Sequence, residues 1–156
     1  MKNNKGFSLV ELIIVIAIMA VLVGVLAPTY LQYVEKSKKS NDVSTVDSIV
    51  NAIEIGAIDP EVMTDTTTEL TFTITNSSFT LAPTSANSKW SKAVEDAVGT
   101  DIKLKSTNWD SAAANNKVVI KATRDVATGK VIFKYETGTP QTFKDYATSL
   151  TKVKNS

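Results

Sequence analysis

The stretch that decides the fold runs from Lys5 to Ala27 and reads KGFSLVELIIVIAIMAVLVGVLA. From Phe7 onward it contains a single charged residue, Glu11. About 20 apolar residues in an α-helix span the hydrocarbon core of a bilayer, and a helix pairs its backbone groups within the segment. We therefore predict a transmembrane helix over residues 7–28.

Glu11 is the unusual residue of this helix. A charge near the centre of a membrane helix costs about 2.5–3.5 kcal/mol on insertion scales and less near the ends, so an ionisable residue there is a functional candidate. Three plainer interpretations also exist: a tolerated charge near the membrane surface, a permanent single-pass anchor, and an ordinary secretory signal peptide. The apolar run is long and ends in Leu26-Ala27-Pro28, which disfavours the signal peptide because Pro28 would make cleavage there awkward.

A short lysine-bearing leader precedes the motif Lys5-Gly6-Phe7-Ser8-Leu9-Val10-Glu11-Leu12-Ile13, and the apolar helix that follows ends at Pro28. This pattern resembles the N-terminus of type IV pilins and their pseudopilin relatives over residues 1–33. The resemblance implies that a prepilin peptidase removes residues 1–6 by cutting between Gly6 and Phe7 on the cytoplasmic side. It also implies N-methylation of the new Phe7 amine and assembly into a helical filament by an assembly ATPase and an inner-membrane platform.

Cleavage would create a cationic amine on Phe7, close in the chain to Glu11. Opposite charges in a low dielectric attract strongly, so each can offset the desolvation of the other. The resemblance implies that the Glu11 carboxylate meets the Phe7 amine of a neighbouring subunit. Only one stagger of packed helices would neutralise both charges, and Glu11 is therefore expected to set the register of assembly.

Gly24 and Pro28 are the weak points of the apolar helix. Pro28 has no N–H and its ring clashes with the carbonyl four residues earlier, which belongs to Gly24, so a kink or a locally unwound stretch is expected. A kink of this kind is tolerated in many membrane helices. The resemblance implies the alternative, in which residues 24–28 melt on assembly.

Composition excludes several classes of function. The 156-residue chain has a formal net charge of +1, and loss of Lys2 and Lys5 with the leader leaves 15 basic and 16 acidic side chains, so no basic surface for nucleic acid is indicated. Cysteine and histidine are absent, which removes disulfides, thiolate or imidazole metal ligands and Ser-His-Asp catalysis. We expect no enzyme, no cofactor and no metal.

Residues 29–156 are expected to form a globular domain. An amphipathic continuation of the helix is predicted over 30–58, because apolar residues recur at spacings of three and four, and Gly56 with Asp59-Pro60 should end it. The predicted buried stripe is Leu31, Val34, Val43, Val46, Ile49, Val50 and Ile53. The polar residues expected to lie off that stripe are Lys36, Lys39, Asp42, Asp47 and Asn51.

Alternating apolar residues predict strands over 70–75, 79–81, 117–123 and 130–135, with a short strand at 102–104 and a helix over 88–98. Residues 59–69 and 109–116 are predicted to be loops, with Trp109 closing the edge of the core. Phe143, Tyr146, Leu150 and Val153 permit a C-terminal helix, although an extended tail is the alternative. The expected fold is α+β: a long N-terminal helix, apolar in its first half and amphipathic in its second, packed on a small antiparallel sheet.

Lys2 and Lys5 ahead of the span favour a cytoplasmic N-terminus. Three lysines behind the span oppose that rule, and we expect nearby acids to balance them in part: Lys36, Lys38 and Lys39 with Glu35 and Asp42. The predicted function is that of a structural subunit of a surface pilus used for adhesion or twitching motility, held in the membrane before assembly. A pseudopilin of a secretion or DNA-uptake system is the first alternative. A membrane-anchored enzyme or binding protein is the second.

Overall fold

The computed structural model describes residues 6–109 and 116–154, and its dominant element is α1, a single helix over Leu9–Ala57. The predicted long helix is confirmed. It begins two residues later than expected and ends beside Gly56 and Asp59, as predicted. The chain divides into two compact units, Met1–Ser37 and Lys38–Ser156. Residues 1–5 of the predicted leader lie outside the described residues.

The unit that starts at Lys38 contains a five-stranded sheet with the strand order β2-β1-β3-β4-β5. The first four strands pair antiparallel, and β5 pairs parallel with β4. The α+β class is therefore confirmed, with one parallel edge strand added. The remaining elements are α2 (Pro60–Met63), β1 (Glu69–Thr75), β2 (Phe79–Ala82), α3 (Lys89–Val98), β3 (Lys117–Arg124), β4 (Val131–Tyr135), α4 (Gln141–Tyr146) and β5 (Val153–Lys154).

The second half of α1 contributes one side of the core. Its buried apolar residues follow the predicted spacing from Val43 to Ile53, and they join one cluster with the inward residues of the sheet. Leu31 lies on the predicted stripe but is exposed. The strand residues that face this cluster are Leu70, Phe72, Ile74, Val118, Ile120, Ala122, Phe133 and Tyr135.

Asp42 is buried, and the prediction that it lies off the stripe is wrong. Its carboxylate accepts backbone N–H bonds from Lys105 at 2.6 Å and Ser106 at 3.0 Å, and the indole N–H of Trp109 at 2.8 Å. Three donors of this kind satisfy a buried carboxylate without a counter-ion. Asp42 therefore ties α1 to the segment that precedes β3.

The same segment explains why no strand forms at residues 102–104. The amide of Leu104 donates to the carbonyl of Thr75, and the next two amides are bonded to Asp42, so no strand ladder can form there. Trp109 is fully buried, as predicted for a residue that closes the core, and its ring packs edge-on against Phe143 at 4.8 Å between centroids. Residues 110–115 of the predicted loop lie outside the described residues.

Two further expectations are corrected. The predicted loop 59–69 contains α2, because Asp59 caps it by accepting the Glu61 amide at 2.8 Å and Pro60 occupies its first turn, where a missing N–H costs nothing. The predicted C-terminal helix ends at Tyr146. Leu150 and Val153 are buried, but they lie in the chain that returns to form β5.

The β3–β4 hairpin is confirmed. Its turn closes through bonds between Asp125 and both Gly129 and Lys130, and Gly129 adopts φ 69°, a conformation that favours glycine. A Cβ at Gly129 would also lie 2.9 Å from Ile58, so two constraints act on this position.

Arg124, at the end of β3, is a second buried charge. Like Asp42, it is satisfied by backbone groups and not by an ion pair. Its guanidinium donates to the carbonyls of Val62 at 3.1 Å, Asp65 at 2.8 Å and Thr67 at 2.9 Å, and it lies 4.9 Å from the Trp90 ring. The sequence analysis did not identify this role. Carbonyl oxygens near the end of α2 thus hold a buried charge in place of a carboxylate partner.

Asp65 links the loop after α2 to the start of α3. Burial opposes ionisation of its carboxyl group, but hydrogen bonds from the amide and hydroxyl of Thr67, the amide of Trp90 and the hydroxyl of Ser88 outweigh that effect and hold its pKa well below the usual range. Ser88 in turn caps α3 by accepting the Ser91 amide at 3.2 Å.

We predict that Asp42→Ala destabilises the protein by about 3 kcal/mol or more, because three N–H groups, two of them in buried hydrogen bonds, lose their acceptor. Urea unfolding of the detergent-solubilised chain, followed by tryptophan fluorescence, measures the change. Asp47→Ala is the matched control, because Asp47 is exposed on the same helix. Equal stability of the two variants would contradict the assigned role of Asp42.

We predict that Asp65→Asn lowers the free energy of unfolding by about 1–2 kcal/mol at pH 7, since the ionised acceptor is lost. A carboxyl group whose pKa is depressed in the folded state stabilises the fold above the pKa of the unfolded chain, near 4, and loses that contribution as the pH falls. The wild type should therefore lose more stability than the variant between about pH 5 and pH 2. Urea titrations across this range would reveal parallel curves if Asp65 were unimportant.

Candidate functional site

The candidate site is the start of α1, where Ser8 and Glu11 form a reciprocal cap. The Glu11 Oε2 atom accepts the Ser8 amide at 2.9 Å, and the Ser8 hydroxyl accepts the Val10 amide at 3.4 Å. Ser8 precedes the first helical residue by one and Glu11 occupies the third helical position, which are the positions of a capping box, although the Ser8 hydroxyl bonds the amide of the second helical residue and not the third. The sequence analysis singled out Glu11 but missed this intrachain partner, although Ser followed three residues later by Glu is its signature.

Gly6 and Phe7, the residues of the predicted cleavage site, lie before the helix begins. Phe7 is 93% exposed, and a Cβ built on Gly6 would meet no atom within 4 Å. The cap thus starts α1 immediately after this dipeptide and leaves its backbone outside the helical hydrogen-bond pattern. The structure brings Ser8 and Glu11 together, whereas Phe7 extends away from neighbouring side chains.

The first part of α1 presents its apolar side chains on all sides. Its 18-residue window of highest apolarity has a mean hydropathy of 3.1 and no buried residue, so by length and composition this helix can cross a membrane. Exposed apolar residues continue from Leu9 to Leu26. Such a surface is not stable in water and needs lipid or other protein as cover.

Gly24 and Pro28 lie within continuous helix. Pro28 cannot donate to the Gly24 carbonyl, and the nearby Thr29 hydroxyl donates instead to Leu26 at 2.8 Å. One backbone acceptor in the apolar segment therefore lacks its usual helical donor. Melting of residues 24–28 concerns the assembled subunit and stays a prediction.

No metal-binding cluster occurs in the part of the chain that the structure describes. Groups of three or more carboxylate, histidine or cysteine side chains able to hold a metal are absent there. The remaining buried charges, Asp42 and Arg124, are bonded to N–H and carbonyl groups of the fold itself. Their arrangement serves stability rather than chemistry.

Residues 1–27 match the family described as the prokaryotic N-terminal methylation motif. The N-terminal segment is similar to that of type IV fimbrial proteins. A fimbrial protein of Pseudomonas aeruginosa is 39% identical over 54 residues, which are 35% of this chain and 35% of the relative. A type IV major fimbrial protein, FimA, of Dichelobacter nodosus is 38% identical over 56 residues, 36% of each chain. The chain thus matches about a third of the length of these relatives.

A comparison with solved structures finds no significant match. The likeness to pilins therefore rests on the N-terminal methylation motif and on sequence identity over about a third of the chain. Both relatives are fimbrial proteins by name, which agrees with the expectation of a structural, non-enzymatic protein. Within the matched segment, the Ser8–Glu11 cap gives Glu11 a role in its own chain before any neighbour is present.

Proposed function

We propose that the whole chain is a structural subunit of a type IV pilus. A prepilin peptidase would cut between Gly6 and Phe7 and methylate the new amine, and the mature subunits would form a helical surface filament for adhesion or motility. An assembly ATPase and an inner-membrane platform would supply the work and the scaffold. Before assembly the subunit would span the membrane once, with its N-terminus in the cytoplasm.

The observation that carries this proposal is the apolar surface of α1, which finds no cover within its own unit. A bilayer covers this surface before assembly, and packed copies of the same helix would cover it afterwards. The hydrophobic effect changes little in that exchange, because lipid tails and apolar side chains are similar environments. Helix packing and charge pairing can therefore decide between the two states.

Glu11 supports the proposal because, among the described residues, only one of its two carboxylate oxygens accepts a hydrogen bond. Oε2 caps the helix, whereas Oε1 makes no hydrogen bond to a described residue. A carboxylate can accept several hydrogen bonds, so Oε1 is suited to accept the Phe7 amine of a neighbouring subunit. The cap would hold the side chain in place, and the pairing would set the stagger between helices.

We predict that the mature protein begins at Phe7 and carries a methyl group on its amine. Intact-mass and N-terminal peptide measurements on native protein check both points. Gly6→Ala tests the processing step separately, because a Cβ at this position meets no atom within 4 Å and the substitution changes only the residue before the predicted scissile bond. Native protein that retains residues 1–6 would support a permanent membrane anchor and contradict the proposal.

We predict that Glu11→Val and Glu11→Gln both insert in the membrane and both lose most filaments, by about tenfold or more. Gln can keep the cap to Ser8, because either Glu or Gln can accept the capping amide from this position, but it has no charge for the amine. Quantification of sheared surface filaments measures the effect. Normal filament yield from Glu11→Gln would show that charge pairing is unnecessary.

The two variants also separate capping from pairing. A loss confined to Glu11→Val would assign the role to the cap. Filaments absent from the surface of wild-type cells, together with a secretion or DNA-uptake defect on deletion, would instead identify a pseudopilin.

A further inference from the structure

Two exposed isoleucines lie at the end of α1 and just beyond it, in the unit that starts at Lys38. Ile55 is 68% exposed and Ile58 is 64% exposed, although the neighbouring Ile53 and Ala57 are buried. Ile55 lines a groove between α1 and α3 whose lining includes four small residues: Ala52, Gly56, Ala93 and Ala97. These isoleucines lie beyond the segment that a membrane could cover, so lipid does not explain them.

Two carboxylates adjoin the isoleucines. Asp59 and Glu61 are exposed, and neither has an ion pair with a described residue. The nearest lysines on α3 are engaged elsewhere, because Lys92 pairs with Asp96 at 3.0 Å and Lys89 donates to the Thr64 hydroxyl at 3.1 Å. We name Ile55, Ile58, Asp59 and Glu61 the acidic end.

Two lysines lie near Asp42, at the other end of the part of α1 that belongs to this unit. Lys39 lies 4.9 Å from the Trp109 ring, and the Lys105 amide is bonded to Asp42, which holds the exposed Lys105 side chain at that level of the helix. Asp42 was expected to balance the neighbouring lysines, but it is buried and bonded to N–H groups instead. We name Lys39 and Lys105 the basic end.

The two ends are separated along a rigid element. From Asp42 to Ala57, α1 rises about 22 Å at 1.5 Å per residue. Two different, complementary surfaces on one chain can pair reciprocally in an antiparallel two-fold dimer, or they can repeat head to tail from copy to copy. In the proposed filament the copies run parallel, which selects the head-to-tail arrangement. Contacts of that type generate open helical polymers.

We propose that the basic end of one copy docks on the acidic end of another copy. The aliphatic stems of Lys39 and Lys105 would cover the two isoleucines, and their ammonium groups would reach Asp59 and Glu61. This contact rests on the proposed pilus function and adds to it a second interface, formed by the unit outside the membrane. Charge complementarity together with an uncovered apolar patch favours a second copy over anionic lipid, which could satisfy only the lysines.

A charge-swap experiment tests the contact in the full chain expressed in its native host. The variants are Lys105→Glu, Glu61→Lys and the double variant, with Lys134→Glu on the outer face of β4 as the matched charge-reversal control. We expect each single variant to lower filament yield at least fivefold, the control to match the wild type, and the double variant to recover at least half of the yield. The mass of the mature N-terminus confirms normal processing in each case.

Ile55→Asn supplies an independent variant that should also lower filament yield, with thermal unfolding unchanged because the side chain is exposed. Single charge reversals without effect, or a double variant no better than either single, would overturn the contact. A defect confined to Lys105→Glu would indicate that the basic end binds anionic lipid instead, and it would also overturn the proposed contact between copies. Failure of the pilus proposal itself would appear differently, as a wild-type chain that is never trimmed or never polymerises.

Discussion

The apolar surface at the start of α1 has no cover within its own unit, and this lack is the constraint on which the rest of the molecule depends. Burial of apolar area is the dominant favourable term in folding and association, at about 25 cal/mol per Å². A helix that exposes such area on all sides must place it in lipid or against other protein. The capping box of Ser8 and Glu11 then defines where that helix begins.

The second half of the same helix is organised differently. Its apolar residues occupy one side and are covered by the sheet, so this part needs no external cover. A chain without cysteine must hold its loops to that core by other means. Asp42 binds the segment before β3, and Arg124 binds the segment after α2, each through backbone groups rather than through a charged partner.

These two buried charges stabilise the fold in the same way. Leaving a buried charge unpaired costs several kcal/mol, so each becomes stabilising only when several polar groups are placed around it. The two side chains thereby supply hydrogen-bond partners to backbone N–H and C=O groups in irregular segments. This bonding also withdraws Asp42 as a partner for Lys39, whose ammonium lies over the Trp109 ring instead.

The sequence by itself determined the long helix, the sheet strands 70–75, 79–81, 117–123 and 130–135, the helix capped by Ser88, and the N-terminal motif of the candidate site. These features follow from local signals: apolar periodicity, glycine and proline at boundaries, and a charge in an apolar run. Only the tertiary structure decided the burial of Asp42 and Arg124, the absence of a strand at 102–104, and the parallel pairing of Val153. Those depend on donors and acceptors that lie tens of residues away in the chain, and no local pattern specifies which of them will meet.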